Sequence, residues 1–350
     1  MVKQDRQDGL RQKYRGVVVP MVTPFTSHGD IDLDAAERII DHIAGRATRP
    51  KARTGSDPTS SGCTGSNPPS AGGACLFALG TTGEAASISF SSKARFVDTV
   101  VKKSRHSSQH SGPERDRAIT YAGISDNCLA TSVDMAKKFF DLGVDVVVAH
   151  VPSYYPLTSD DIFGYYENLA ERVPGPLMLY NIPMTTGVSV PLEVIDRLSY
   201  SPTIIGLKDS DNDLNRMKRA IALWRDREDF SYLCGCTVLN MTALAMGADG
   251  IVPSVGNIVP DLFVRLYNAV RDGNLEQAER CQRRANDISD IFQKNKTLGQ
   301  SLPILKVIMH VLGFCEPKVL PPLRDLTADQ IQAIRETVDA MGFLQKGHPL

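Results

Sequence analysis

Two textures of apolar residues alternate along the chain. Short, nearly continuous apolar blocks mark parallel strands buried on both faces. They fall at 16–20 (GVVVP), 75–79 (CLFAL), 119–123, 145–149 (DVVVA), 177–180 (LMLY), 204–208 (IIGLK), 231–234 and 250–253. Between and after them, apolar residues recur every three or four positions, the period of an amphipathic helix. These segments are 33–44, 91–103, 129–141, 159–172, 191–198, 214–224, 238–246 and 260–271. Helix-start residues precede several of them, Asp30 or Asp32 for the first and Ser159 for the fourth.

Eight strands each followed by a helix is the count of a (β/α)8 TIM barrel. Strand starts near 145, 177, 204 and 231 fit βαβ units of roughly 30 residues. A doubly wound open sheet is the rival, but no G-x-G-x-x-G follows the first block. Past about residue 272 the pattern is helical only, at 275–292, 301–312 and 327–341. The expected organisation is therefore an α/β barrel over 14–272 and a C-terminal helical extension over 273–345. Two stretches break the texture. The segment 46–73 is dense in Gly, Ser, Thr and Pro, and 104–117 (SRHSSQHSGPERDR) resembles it. Such composition buries too little apolar area to offset the entropy of ordering. Both follow a helix and precede a strand, at the barrel end opposite the catalytic face, so neither is expected to take part in chemistry.

Composition narrows the function. With 350 residues, 42% of them hydrophobic and 23% charged, the chain can bury a large core. Lys+Arg 39 against Asp+Glu 40 leaves a net charge of -1, without the broad positive field of a nucleic-acid or anionic-membrane binder. No run approaches about 18 apolar residues, and the opening MVKQDRQDGLRQKYRG has no apolar h-region, so a soluble cytoplasmic protein is expected. Seven scattered cysteines with no C-x-x-C pair fit reduced thiols, and no H-E-x-x-H or similar spacing points to a metal centre. The expected partner is a small molecule.

In a barrel of this kind, chemistry gathers at the C-terminal ends of strands. The sixth block ends in Lys208, the fifth in Tyr180, and the second runs into Gly80-Thr81-Thr82-Gly83-Glu84. A lone lysine at a strand end ordinarily snorkels to water. Alternation, however, points Lys208 into the barrel together with Gly206, leaving open volume beside the amine. Desolvation discourages the ammonium form and exposes the lone pair that attack on a ketone requires. Tyr180 lies one βα unit earlier (208 − 180 = 28), hence on the neighbouring strand, where a phenol can pass protons to a carbinolamine. Thr81-x-x-Glu84 reads as a capping box, and its free N–H groups also suit a substrate carboxylate.

The ordered motifs GTTGE (80–84), YNIP (180–183) and GLKDS (206–210) resemble those of the dihydrodipicolinate synthase and N-acetylneuraminate lyase family of class I aldolases. VTPF (22–25), PSYY (152–155) and GADGIVPSVGN (247–257) extend the likeness over roughly 14–341, the two insertions excepted. The resemblance implies a homo-oligomeric barrel, usually a tetramer, that joins pyruvate to an aldehyde or releases it through a lysine imine, with no metal and no cofactor. It implies Lys208 as the Schiff-base lysine, Tyr180 as the proton-shuttling phenol, and Thr81 and Thr82 as the pair that binds the pyruvate carboxylate. Tyr154 matches the tyrosine that reaches a neighbouring subunit's site and completes a hydroxyl relay with Thr82 and Tyr180. Val252 resembles the residue lining the pyruvate pocket.

Two departures shape the substrate expectation. The synthases carry an arginine after the tyrosine motif to grip the aldehyde's carboxylate, and Thr185 stands at that place. A neutral hydroxyl cannot supply a bidentate charge-assisted grip. Sialic-acid lyases carry an acidic pair where this chain has Gly235-Cys236-Thr237-Val238. The expectation is therefore an aldolase of the 2-keto-3-deoxy sugar acid or hydroxy-oxoglutarate kind. The alternatives are a dihydrodipicolinate synthase and a non-catalytic keto-acid-binding barrel.

Overall fold

A strand flanked by apolar residues on both faces must be covered on both, and a closed barrel ringed by helices does so. The computed structural model describes residues 14–45, 74–106 and 118–342. Its eight parallel strands are β1 (Gly16–Pro20), β2 (Cys75–Ala78), β3 (Thr120–Gly123), β4 (Val146–His150), β5 (Leu177–Asn181), β6 (Ile204–Asp209), β7 (Ser231–Cys234) and β8 (Gly250–Ile251). They pair in chain order, and β8 closes on β1. The expected TIM barrel is the observed fold.

The helices around the barrel are α1 (Leu33–Ile43), α2 (Phe90–His106), α3 (Leu129–Leu142), α4 (Ser159–Arg172), one-turn α5 (Pro183–Thr186), α6 (Leu192–Leu198), α7 (Leu214–Trp224), α8 (Asn240–Ala245) and α9 (Pro260–Arg271). Three more follow, α10 (Leu275–Phe292), α11 (Leu298–Val311) and α12 (Ala328–Ala340). Their starts follow side-chain capping. Asp32, not Asp30, caps α1 by accepting from the Ala35 amide at 2.9 Å. Thr158, not Ser159, caps α4, because its hydroxyl and the Asp161 carboxylate satisfy each other's backbone in a capping box. Among the described residues no helix is long and apolar enough to cross a membrane.

The expected insertion 46–73 lies outside the described residues, as does 107–117 of the second. The first residues of that second stretch are not loop. Helix α2 runs on to His106, with Ser104 buried and its hydroxyl donating to the Val101 carbonyl at 2.8 Å. A serine that bonds back to its own helix can stay in it despite a polar neighbourhood in sequence.

Alternation sorts the strand side chains into two shells. Val19, Leu76, Val147, Leu179 and Leu207 pack outward against the helices, whereas Val18, Phe77, Tyr121, Val148, Met178 and Leu233 fill the bore. One irregularity matters to the site. Leu177 pairs with Ile204 but Met178 pairs with Gly206, so the register slips between β5 and β6. Ile205 consequently joins the inner cluster. The open volume expected beside Gly206 is absent, since a Cβ there would lie 2.5 Å from the Ser231 carbonyl oxygen. That glycine serves a close approach of β7.

A second close approach fixes the turn after β2. A Cβ on Gly123 would meet the Leu79 carbonyl oxygen at 2.0 Å, and Leu79 itself is left-handed at φ 57. Gly123→Ala should therefore lower stability by about 2 kcal/mol or more through overpacking against backbone. Gly164→Ala, in α4 with nothing within 4 Å of the added methyl, should raise it by about 0.5–1 kcal/mol. Thermal midpoints of the two variants check both signs.

Candidate active site

The register that closes the barrel sets Tyr180 opposite Lys208 and His150 opposite Tyr180, so three polar side chains from β4, β5 and β6 meet at one level. Lys208 is 4% exposed. Its Nζ lies 3.8 Å from the centroid of the Tyr180 ring and 4.7 Å from that of Phe77. An amine between two aromatic faces gains cation–π attraction but loses most of its hydration. Burial pushes the Lys208 pKa below the usual 10.5, and the Tyr180 phenol and the Cys236 thiol oppose that shift. The next residue, Asp209, points away from the bore as alternation requires. Its carboxylate accepts from Asn181 Nδ2 at 2.8 Å and from Arg216 Nε at 2.9 Å, a polar clamp that joins β5 to β6 behind the lysine.

The turn after β2 faces the Tyr180 phenol. Gly80 packs tightly there, because a Cβ would stand 3.0 Å from the Phe77 ring. Thr81 Oγ1 lies 3.4 Å from the Tyr180 hydroxyl, with either atom able to donate. Among the described hydrogen bonds it is Thr81, and not Thr82, that faces the phenol; Thr82 is half-buried. The Thr81–Glu84 capping box does not form. Glu84 adopts φ 54 with no side-chain cap, and its carboxylate turns instead to Lys306 Nζ at 2.8 Å and to the Leu320 amide at 3.0 Å. A buried ion pair thus displaces the local cap that the spacing favours.

The remaining residues fall into two groups. Val252, 3% exposed, belongs to the inner cluster with Tyr180 and Phe77. A cavity of about 450 Å3 is lined by Gly80, Thr81, His150, Tyr180, Thr185 and Lys93 among others. The Thr185 hydroxyl is engaged with the Ile182 carbonyl at 3.2 Å, within the turn of α5. Tyr154 stands apart, 75% exposed and edge-on to Tyr155 at 5.0 Å. Its amide, with that of Ser153, is held by Asn127 Oδ1.

Sequence reasoning missed Phe77, His150 and Lys93. His150 was legible by the same arithmetic that found Tyr180, since it ends a strand one βα unit before it. Burial lowers its pKa, the Val151 carbonyl on Nδ1 opposes this, and Lys208 reinforces it. Lys93 left no readable signal, because it begins a helix far from any strand end. Among the described residues no group of three or more His, Cys, Asp or Glu is placed to hold a metal.

A buried lysine destabilises the fold while it carries charge. Folded Lys208 gives up its proton below the 10.5 it keeps when unfolded. The penalty is therefore full below the folded pKa and fades as pH rises through it toward the unfolded value. Lys208→Met should accordingly raise the thermal midpoint at about pH 7, with the advantage shrinking by about pH 10. An equal gap at both pH values would contradict the desolvated amine.

The comparisons with known proteins agree with this geometry. The profile of the dihydrodipicolinate synthetase family matches residues 70–341. A 4-hydroxy-tetrahydrodipicolinate synthase of Oceanobacillus iheyensis is 27% identical over 322 residues, covering 92% of this chain and 95% of that protein. An uncharacterised DapA-like lyase of Thermococcus kodakarensis is 27% identical over 322 residues, covering 91% and 96%. The dihydrodipicolinate synthase structure from Bacteroides thetaiotaomicron superposes with a TM-score of 0.79 at 26% identity, over 94% of this chain and 99% of that one. YagE of E. coli K12, a prophage protein of the dihydrodipicolinic acid synthase family solved with pyruvate, shares the fold at TM-score 0.78 and 21% identity, over 94% and 99%. The chain belongs to the dihydrodipicolinate synthetase family.

Proposed function

We propose that the chain is a class I lyase that cleaves or forms the bond between pyruvate and an aldehyde through an imine on Lys208. The observation that carries this reading is the buried amine between the Tyr180 and Phe77 rings, with Thr81 bonded to the same phenol. The neutral amine adds to the keto carbon, and Tyr180 passes a proton to the carbonyl oxygen, giving a carbinolamine. Loss of water leaves an iminium. The Tyr180 phenolate left by these transfers takes the proton of the C4 hydroxyl while the positive nitrogen accepts the electron pair of the C3–C4 bond, so the aldehyde departs and an enamine remains. Protonation at C3 and return of one water release pyruvate and the free amine. Condensation is the reverse.

The hydroxyl relay is assigned to Thr81 and Tyr180, with Thr82 beside Thr81 on the turn whose N–H groups receive the keto-acid carboxylate. Val252 lines the pyruvate side. The exposed Tyr154 is assigned to the site of a second copy of the chain, in a homo-oligomer of tetrameric type. For the aldehyde, Thr185 offers no cation and its hydroxyl is already engaged, which favours the polyhydroxy or short aldehydes of the 2-keto-3-deoxy sugar acid and hydroxy-oxoglutarate aldolases. The names of the curated relatives favour a second reading, 4-hydroxy-tetrahydrodipicolinate synthase with aspartate semialdehyde. A panel of these aldehydes with pyruvate separates the two by relative kcat/KM.

Borohydride reduction in the presence of pyruvate should leave a covalent adduct on Lys208, identified by mass spectrometry of its peptide and absent from Lys208→Arg. A wild-type chain that gives no adduct would sink the mechanism. Tyr180→Phe should keep the adduct but lose about 10²- to 10⁴-fold in kcat.

A further inference from the structure

The turn proposed to receive the keto-acid carboxylate is bracketed by two left-handed residues that are not glycine, Leu79 at φ 57 and Glu84 at φ 54. Such a conformation persists only where the surroundings over-determine it. Within the turn, the Glu84 amide donates to Thr81 O at 3.1 Å and the Gly83 amide to Gly80 O at 3.1 Å. Gly83 O also accepts from Thr23 Oγ1 at 2.7 Å. Ser87 N also donates to Glu84 O at 2.9 Å and Ala85 N to Gly80 O at 3.4 Å, so backbone bonds shape the turn and the Glu84 side chain ties it to the rest of the fold.

That side chain leaves the barrel altogether. Its Oε1 meets Lys306 Nζ from α11 at 2.8 Å, both side chains being 1% exposed, and its Oε2 accepts from the Leu320 amide at 3.0 Å. Lys306 Nζ also donates to Thr23 O at 2.5 Å and to Lys318 O at 3.2 Å, and lies 4.4 Å from the Phe25 ring centroid. One ammonium therefore joins four pieces of chain: the extension of β1, the turn, α11 and the segment after it. Thr23 is contacted twice, once by the ammonium and once through Gly83. Leu302 of α11 and Leu323 beyond it line the same cavity as Thr81 and Tyr180.

We propose that Lys306 is a positioning residue for the substrate: through Glu84 it holds the Gly80–Gly83 turn in register with Tyr180, so that the C-terminal helices set the affinity for the keto acid. This rests on the imine mechanism above. Lys306 touches no reacting atom. Its loss is expected to act on binding of the carboxylate, with imine chemistry at saturation largely preserved.

The test is borohydride trapping titrated with pyruvate, run alongside steady-state kinetics and thermal midpoints. Lys306→Met alone strands the Glu84 carboxylate in the interior and is expected to lower stability sharply. The double variant Lys306→Met/Glu84→Gln removes both charges and should recover most of that loss. The double variant should nevertheless need about tenfold more pyruvate for half-maximal trapping, with kcat at saturation changed less than about threefold. Glu84→Gln alone removes the carboxylate but leaves the Lys306 ammonium the Thr23 and Lys318 carbonyls, so it should lose less stability than Lys306→Met and show a smaller shift in the same direction, which leaves the idea testable if neither methionine variant folds. Variants with native-like midpoints and wild-type half-saturation would overturn it. Absence of trapping in the wild type would instead overturn the imine mechanism itself.

Discussion

A single desolvated amine sets the terms for the rest of this barrel. An ammonium ion in water is no nucleophile, and one deep in apolar surroundings is unstable. The bore resolves this by placing Lys208 between the Tyr180 and Phe77 rings, where aromatic faces tolerate either protonation state. The structure behind the amine serves the same end. Asp209 is held by Asn181 and Arg216 on the outer face of β5 and β6, so this neighbouring carboxylate does not face the lysine to hold its proton. The slip at Ile205 and the bare Gly206 bring β7 close and fill the bore below.

The substrate side is built by different means. A turn with left-handed residues at both ends presents Thr81 to the phenol, the Leu79 carbonyl oxygen admits only glycine at position 123, and the Phe77 ring packs tightly against Gly80. The ion pair between Glu84 and Lys306 then makes the helices beyond the barrel part of the site. A buried pair of this type adds little net stability compared with apolar replacements but fixes geometry, because either partner alone would be an uncompensated buried charge. Stability and positioning therefore separate in the two side chains.

Family membership and the amine's environment together describe a Schiff-base-forming lyase, and the cavity lined by Thr81 and Tyr180 carries the question of the aldehyde. Thr185 spends its hydroxyl on its own turn. Lys93, nearly buried on the cavity wall, has burial lowering its pKa and Asp126 opposing that. The amine that the wall carries therefore comes from a helix and not from the loop after β5.

Much of this was legible in the chain itself. Eight buried strands announce themselves by composition, since a strand covered on both faces is mostly apolar and keeps its polar residues near its ends. Period and spacing then put Tyr180 and Lys208 on adjacent strands at the same level. Local patterns did less well wherever a distant partner competed. Thr81 and Glu84 have the spacing of a cap, yet a lysine 222 positions later (306 − 84) takes the carboxylate. Ser104 has the composition of a loop, yet its helix continues. The inward direction of Lys208 followed from alternation, whereas the filled space beside it, the hydrogen bond between Thr81 and Tyr180 and the tie to the C-terminal helices did not. Periodicity is a property of neighbours along the chain, and those features depend on atoms that only the closed barrel brings within bonding distance.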